Sequence, residues 1–392
     1  VYKRQQLDRL AATVDVWEVN HGAGYVLAPL TMAEERSLAQ AGFVFSVDEV
    51  RTAQLRAQAV PSMATGGFAC YRTVEETYAT LDALSVTYPD LARWVDIGDS
   101  WEKEQSFGTA GYDLRALVIS NRASSAPKAI FYLLAAVHAR ELTTAESATR
   151  FGEHLVRAYG HDPDVTWLLD HNEIHIVPLG NPDGRKRAEA GFLWRKNINS
   201  GDGCYSQTSF GVDLNRNGSF RWAGCGTGDC SSSDPCGITF RGRAPGSEPE
   251  TQALETYARS ILADQRGPHD EDAAPLDATG LFISLHSYGE LVLFPWGWTN
   301  AESPNLTQLQ TLGRKFGYLN GHAVCQLSQP GCLYRADGTN DDFVYGELGV
   351  ASYTFELGDY FFESCAAFEE TIWPTNLPAL LYAAKAARRP YQ

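Results

Sequence analysis

His138, Arg140 and Glu141 stand within four residues, directly after the apolar run Ile130–Val137. An imidazole and a carboxylate three apart can face one ion, and a third ligand from elsewhere completes a catalytic site with one position left for water. Three other apolar runs end in similar chemistry. Ile174–Leu179 precedes Asn181-Pro-Asp-Gly, Leu281–Leu285 precedes His286-Ser287-Tyr288, and Ala351–Phe355 precedes Glu356. In open α/β sheets, ligands sit beyond the carboxyl ends of the strands, so these side chains converge on one crevice. Their types suit one Zn2+, held by His138, Glu141 and His286, with Glu356 as the free carboxylate that takes the proton from an acidified water.

The H-x-x-[DE] spacing alone is a weak signal. His161/Asp164 and His269/Asp272 share it, but both lie in polar stretches and read as solvated. His171 and His175 mimic a metal pair, yet they straddle a strand, where that spacing is too extended for one ion.

The elements that must hold these residues follow from patterning. From Phe68 onward, helices alternate with apolar strands, as in a sheet covered on both faces; this defines a domain over 68–392. Residues 6–56 form a smaller unit, with residues 1–5 set aside. In it LDRLAA ends a helix, VDVWEV and GYVLAPL are strands, TMAEERSLAQAG is a helix ending at Gly42, and FVFSV is a third strand. This α-β-β-α-β order is a split βαβ fold lacking its first strand. Residues 57–67 have the Ala, Pro and Gly content of a connector. Ser247 and Glu250, flanking Pro249 in a first turn, read as a capping box.

A net charge of −16 argues against nucleic acid as a partner, and no apolar stretch approaches the length of a membrane span. The eight cysteines sit mostly in Gly/Ser/Asp-rich loops without paired C-x2-C knuckles. They read as disulfides, hence as a secreted protein whose signal peptide is absent from this sequence. We expect Cys325 to pair with Cys332, Cys204, Cys225, Cys230 and Cys236 to form local bridges, and Cys70 with Cys365 to make a long-range staple.

Seven motifs occur in one order: H-A-R-E (138–141), N-P-D-G (181–184), W-R-K (194–196), G-V-D-L-N-R-N (211–217), S-E-P-E (247–250), L-H-S-Y (285–288) and T-F-E-L (354–357). Through them the chain resembles the M14 family of zinc carboxypeptidases, the class of pancreatic carboxypeptidases A and B, from roughly Phe68 to Pro390. The resemblance implies an α/β fold with a mixed, mostly parallel sheet of about eight strands and helices on both faces, preceded by a small α+β pro-domain that covers the cleft. It implies a monomeric enzyme with one Zn2+ that hydrolyses the last bond of peptides or proteins with a free C-terminus.

Residue by residue, the resemblance makes His138, Glu141 and His286 the ligands and Glu356 the general base and acid. Arg195 then stabilises the oxyanion, Asn215 and Arg216 hold the substrate α-carboxylate, and Tyr334 closes over it. Arg140 and Ser287 line the substrate path, and Asp213 orients His138. Seven residues after Tyr334 stands Asp341, which implies a preference for Lys or Arg at the C-terminus with some activity on large apolar residues. Gly297 and Gln329 do not complete that pattern, and the adjacent Asp342 is a competing candidate. Two rivals are a same-fold deacylase of small N-acyl amino acids and a non-catalytic binding protein. The intact Asn215-Arg216 pair and Tyr334 disfavour the first; the complete ligand set and base disfavour the second.

Overall fold

A computed structural model describes residues 2–58, 68–226 and 230–392. The N-terminal unit runs α1 (Tyr2–Thr13), β1 (Glu18–Asn20), β2 (Tyr25–Leu27), α2 (Met32–Gln40) and α3 (Glu49–Gln58). The first helix thus includes residues set aside above. Thr31 opens α2 with a reciprocal cap: its hydroxyl accepts from Glu34 N at 3.2 Å, and its own N–H donates to Glu34 Oε2 at 2.7 Å. The third strand expected over FVFSV does not form. Only β1 and β2 pair here, and Val44 and Val47 are 96% and 69% exposed. An extended segment with no ladder partner and no buried face has nothing to hold it as a strand. Of the expected connector, residues 57 and 58 end α3, and 59–67 lie outside the described residues.

The main domain begins with α4 (Val74–Thr87), β3 (Ala92–Asp99), α5 (Trp101–Gln105), β4 (Asp113–Ile119) and β5 (Ala129–Ala135). Next come α6 (Leu142–Ala158), α7 (Pro163–His171), β6 (Asn172–Val177), α8 (Pro182–Glu189) and α9 (Pro249–Ile261). It closes with β7 (Leu281–His286), β8 (Leu291–Phe294), α10 (Leu306–Asn320), β9 (Ala323–Gln326), α11 (Asn340–Leu348), β10 (Ala351–Glu356), α12 (Cys365–Ala367) and α13 (Trp373–Ala386). The eight-stranded sheet has the order β3-β4-β6-β5-β7-β10-β8-β9. Its central strands β6, β5, β7 and β10 are mutually parallel, so their carboxyl ends share one edge.

Alternation along β5 shows how the sheet is covered. Phe131, Leu133 and Ala135 join the core beneath α4, α6, α7, α10 and α13, whereas Tyr132 and Leu134 pack with Leu254 of α9 and Phe343 of α11. Both faces are dry, which is why these strands read as continuous apolar runs.

Between α8 and α9 a long irregular segment carries W-R-K and G-V-D-L-N-R-N. It is stapled by Cys204–Cys236 and Cys225–Cys230; Cys325–Cys332 and Cys70–Cys365 complete the pairing expected from sequence, and no cysteine is free among the described residues. The capping box at α9 is not formed. Pro249 does occupy the first turn, but Glu248 is the N-cap residue. Glu250 turns inward to accept from Trp101 N at 2.8 Å, and it shares the Asn197 amide with Glu248 at 3.2 and 2.8 Å. Burial, reinforced by the nearby charges of Glu248 and Asp183, pushes the Glu250 carboxyl up to about 8.

Candidate active site

β5 stops at Ala135, and Ala136 takes a left-handed conformation with φ 51°. That costs an L-residue about 1 kcal/mol and swings the chain across the sheet edge. The turn is held by Ala136 N donating to Thr144 Oγ1 at 3.1 Å and Ala139 N donating to the Arg195 carbonyl at 3.1 Å. Asn181 of N-P-D-G donates to the Val137 and Lys196 carbonyls at 3.1 and 3.0 Å. One amide thereby ties the H-A-R-E turn to the W-R-K segment. Glu141 is the N-cap residue of α6, so His138 and Glu141 face each other from a turn rather than from the helix itself.

His286 ends β7 and Glu356 ends β10, and these two residues are direct partners in the parallel register. His138 Nδ1 lies 2.7 Å from Glu141 Oε1 and 3.1 Å from His286 Nδ1, while His286 Nδ1 lies 3.1 Å from Glu141 Oε2. All three side chains are buried. Two imidazole nitrogens and a carboxylate facing one point form a donor set suited to one divalent ion, and these residues fit such a group. His138 Nε2 donates to Asp213 Oδ1 at 3.1 Å, which frees Nδ1 as the ligand atom. Asp213 Oδ2 accepts from Arg195 Nε at 2.9 Å.

Glu356 is half-buried. Burial raises its carboxyl to about 7 against the opposing charge of His286, so it can both take and return a proton near neutrality. Arg216 is buried, with Nη1 donating to the Asn215 carbonyl at 2.7 Å and Nε without a partner. Asn215 Oδ1 accepts from Asn340 N and Nδ2 at 3.0 and 3.1 Å, which turns its own amide N–H toward His286.

One cavity contains every residue given a metal-binding, catalytic or substrate-binding role from sequence except Asp341. Arg140, Arg195, Arg216, Ser287 and Tyr334 line it together with the His–Glu–His group, Asn215 and Glu356. Asp341, in the first turn of α11, is not among the residues that line it. It is 2% exposed, and its Oδ2 has no hydrogen-bond partner. Asp342 is differently employed, accepting from Gly297 N at 2.9 Å and Trp298 N at 3.0 Å. Burial beside Asp341 raises the Asp342 carboxyl well above its ordinary range.

The decoys separate cleanly. His171 is half-buried at the end of α7, bonded to the Trp167 carbonyl at 2.8 Å, and His175 is buried on β6 against Tyr257 and Glu173. Arg185, directly after the N-P-D-G motif, is buried and donates to the Arg72 carbonyl at 3.1 Å.

The residues that sequence reasoning missed come from the N-terminal unit. Asp15 makes a two-pronged ion pair with Arg140, at 2.6 and 2.8 Å. Burial alone would raise the Asp15 carboxyl; the Arg140 guanidinium outweighs it and holds the group below its usual range. Trp17 donates its indole N–H to Asp15 at 2.8 Å and packs edge-on against Phe361 at 5.5 Å. Val16, Trp17, Glu18 and Val19 line the same cavity and leave about 80 Å3 free, room for a few waters but not a peptide terminus. The sequence signal was an aspartate and a tryptophan inside VDVWEV, where a buried strand would want apolar residues.

The family model for zinc carboxypeptidases, Peptidase_M14, matches residues 77–377. The chain belongs to the zinc carboxypeptidase family. Carboxypeptidase A1 of Rattus norvegicus is 30% identical over 298 residues, covering 74% of this chain and 63% of its own length. Carboxypeptidase B2 of Bos taurus is 29% identical over 337 residues, covering 83% of this chain and 72% of its own. The chain thus spans about two thirds of the length of such curated relatives. A crystal structure of thrombin activatable fibrinolysis inhibitor superposes with a TM-score of 0.69 at 25% identity, covering 100% of this chain and 98% of that one. Carboxypeptidase A from Helicoverpa armigera superposes with a TM-score of 0.76 at 23% identity over 99% and 95% of the two chains, a likeness of fold. The mixed eight-stranded sheet expected from the zinc carboxypeptidase motifs is the one observed.

Proposed function

We propose that this chain is the precursor of a secreted zinc carboxypeptidase that removes the C-terminal residue of peptides or proteins. The observation that carries this reading is the convergence, in one cavity, of the His138–Glu141–His286 group, Glu356, Arg195 and Arg216. His138, Glu141 and His286 would hold one Zn2+, which when bound supplies a Lewis acid that polarises the scissile carbonyl and acidifies water. Glu356 takes the proton from the attacking water and returns it to the leaving amine. Arg195, fixed by Asp213, faces the oxygen on which negative charge develops. Arg216 pairs with the terminal carboxylate, Asn215 adds an N–H, and Tyr334 covers the bound end. Ser287 and Arg140 line the approach of the upstream residues. The four disulfides support export to an oxidising compartment.

Residues 6–56 act in this reading as an inhibitory pro-domain. Asp15 and Trp17 hold Arg140 and fill the cleft, and Asp8 clamps Arg335 through its N–H at 3.0 Å and Nε at 2.8 Å. Activation in this reading needs a cut on the C-terminal side of the unit, and Arg51, inside α3 and paired with Glu18 at 3.3 Å, is poorly placed for it. Asp341, buried with Oδ2 lacking a hydrogen-bond partner, supports preference for a basic C-terminal residue: a substrate guanidinium would supply the missing partner.

The test is C-terminal release from a peptide panel by the chain before and after limited proteolysis, with and without a chelator. Release that needs both proteolysis and metal is expected. Chelator-insensitive release, or none after proteolysis, overturns the reading.

A further inference from the structure

Asn197, two residues beyond Arg195, is fully buried, and its side chain works in two directions. Oδ1 accepts from Val212 N at 2.8 Å and from Asn199 N at 3.2 Å, while the backbone N–H donates to the Val212 carbonyl at 3.0 Å. These bonds pair the W-R-K segment with G-V-D-L-N-R-N and set their register. Arg195 then meets Asp213, the residue after Val212, with Nε and Nη2 both 2.9 Å from Oδ2. The two segments touch closely: a Cβ on Gly211 would stand 2.1 Å from the Asn197 carbonyl oxygen.

The other direction leads to the start of α9. Asn197 Nδ2 donates to Glu248 Oε2 at 2.8 Å and to Glu250 Oε2 at 3.2 Å, one oxygen for each amide hydrogen. Glu248 also accepts from Asn199 Nδ2 at 2.9 Å and Ser247 Oγ at 2.8 Å, and Glu250 from Trp101 N at 2.8 Å. Both carboxyls are buried, and neither has a cation among its partners within the described residues. The nearby cations are engaged elsewhere. Lys103 of α5 pairs with Asp99 and Asp113, Arg243 with Asp202, and the Lys196 ammonium donates to the carbonyls of Ser209, Pro235 and Gly237. The remaining charged neighbours, Asp183 on α8 and Glu102 on α5, are acidic as well. Two buried like charges on one amide are costly without a cation, so one of the pair holds a proton. Burial, with the charge of Glu248 added, assigns it to Glu250, whose carboxyl is pushed up to about 8.

We propose that Glu248 and Glu250 are positioning residues for the reaction: together they clamp the Asn197 amide, and through it they fix the register in which Arg195 is presented to the developing oxyanion. This rests on the carboxypeptidase reading and deepens it. While Glu250 is neutral, the clamp carries one charge and closes on the amide. Loss of the proton sets a second charge beside the first; the two carboxylates repel across Asn197, and the pairing of 197 with 212 loosens. Arg195 acts on the transition state, so kcat falls on the alkaline side while KM holds.

The experiment measures kcat and KM for one short peptide over a pH series, on the full chain activated by limited proteolysis, with folding followed by circular dichroism. In the parent, kcat should fall through an alkaline limb centred near pH 8. Glu250→Ala, which empties the place beside Asn197, should lower kcat about 10- to 100-fold with KM within about twofold. Glu250→Gln, neutral at every pH, should rescue kcat at the acid end and move the alkaline limb up by about one pH unit or more. Lys196 titrates in the same range, lowered to about 8 by burial, and Glu250→Gln leaves it in place. A limb that keeps its parent position in Glu250→Gln therefore overturns the proposal, as does a loss in Glu250→Ala confined to KM; both leave the carboxypeptidase reading intact. If Glu250→Ala does not fold, the position of the limb in Glu250→Gln decides alone. Absence of hydrolysis by the parent overturns both.

Discussion

Asp15 and Arg140, 125 residues apart, form a two-pronged ion pair at 2.6 and 2.8 Å inside the cleft. Asp15→Ala leaves a buried guanidinium without its partner, a loss of about 2 kcal/mol or more. The uncleaved chain should then gain activity on a short peptide by about 30-fold, while the proteolysed enzyme is unaffected. The ratio of the two activities, measured for parent and variant, checks this; an unchanged ratio removes Asp15 from the inhibitory contact.

Glu356→Gln keeps the shape of the group and deletes its proton chemistry. Turnover should fall about 10²- to 10⁴-fold with metal content near one per chain. His286→Ala should instead lose the metal. Metal analysis beside initial rates separates the two effects, and near-normal turnover by Glu356→Gln would count against the base.

Asp341 decides terminal preference in the proposed reading. With a charge-assisted contact of about 1.5–3 kcal/mol, Asp341→Ala should lower kcat/KM for a peptide ending in Arg about 10- to 150-fold relative to one ending in Phe. A parent enzyme that prefers Phe would contradict the assignment.

Cys70–Cys365 closes a loop with a sequence separation of 295. On the chain-entropy model this is worth about 6 kcal/mol. The Cys70→Ser/Cys365→Ser pair should unfold at clearly lower denaturant, whereas the Cys225→Ala/Cys230→Ala pair, closing a separation of 5, should unfold with a much smaller shift.

Glu250 gives a pH signature. Its folded value of about 8 exceeds that of an unfolded glutamate near 4.3, so the folded state holds a proton that the unfolded state has released between those limits. Stability therefore falls as pH rises through that window and levels off above about 8. Glu250→Gln should flatten the slope in denaturation curves taken from pH 5 to 8; an unchanged slope would place the titration elsewhere.

The convergence of the candidate set was legible because strand ends concentrate polar residues. His286 and Glu356 close adjacent parallel strands, so locating both run ends was enough to bring them together. Pairings across the fold were not legible. Glu250 looked like a cap because its actual partner, Trp101 N, lies 149 residues away. Asp15 carried no mark of its partner for the same reason. FVFSV had the composition of a strand, but composition does not supply a neighbour to pair with.

Asp213 serves His138 with one oxygen and Arg195 with the other. Its single negative charge is therefore divided between the candidate metal ligand and the cation proposed to meet the substrate. Electron density drawn toward a dication through His138 leaves less for Arg195, whose guanidinium then offers more of its own charge to an incoming anion. By linkage, the reverse also holds. Loading with metal and capture of an oxyanion mimic should be cooperative, each tightening the other, and Asp213→Asn should uncouple them.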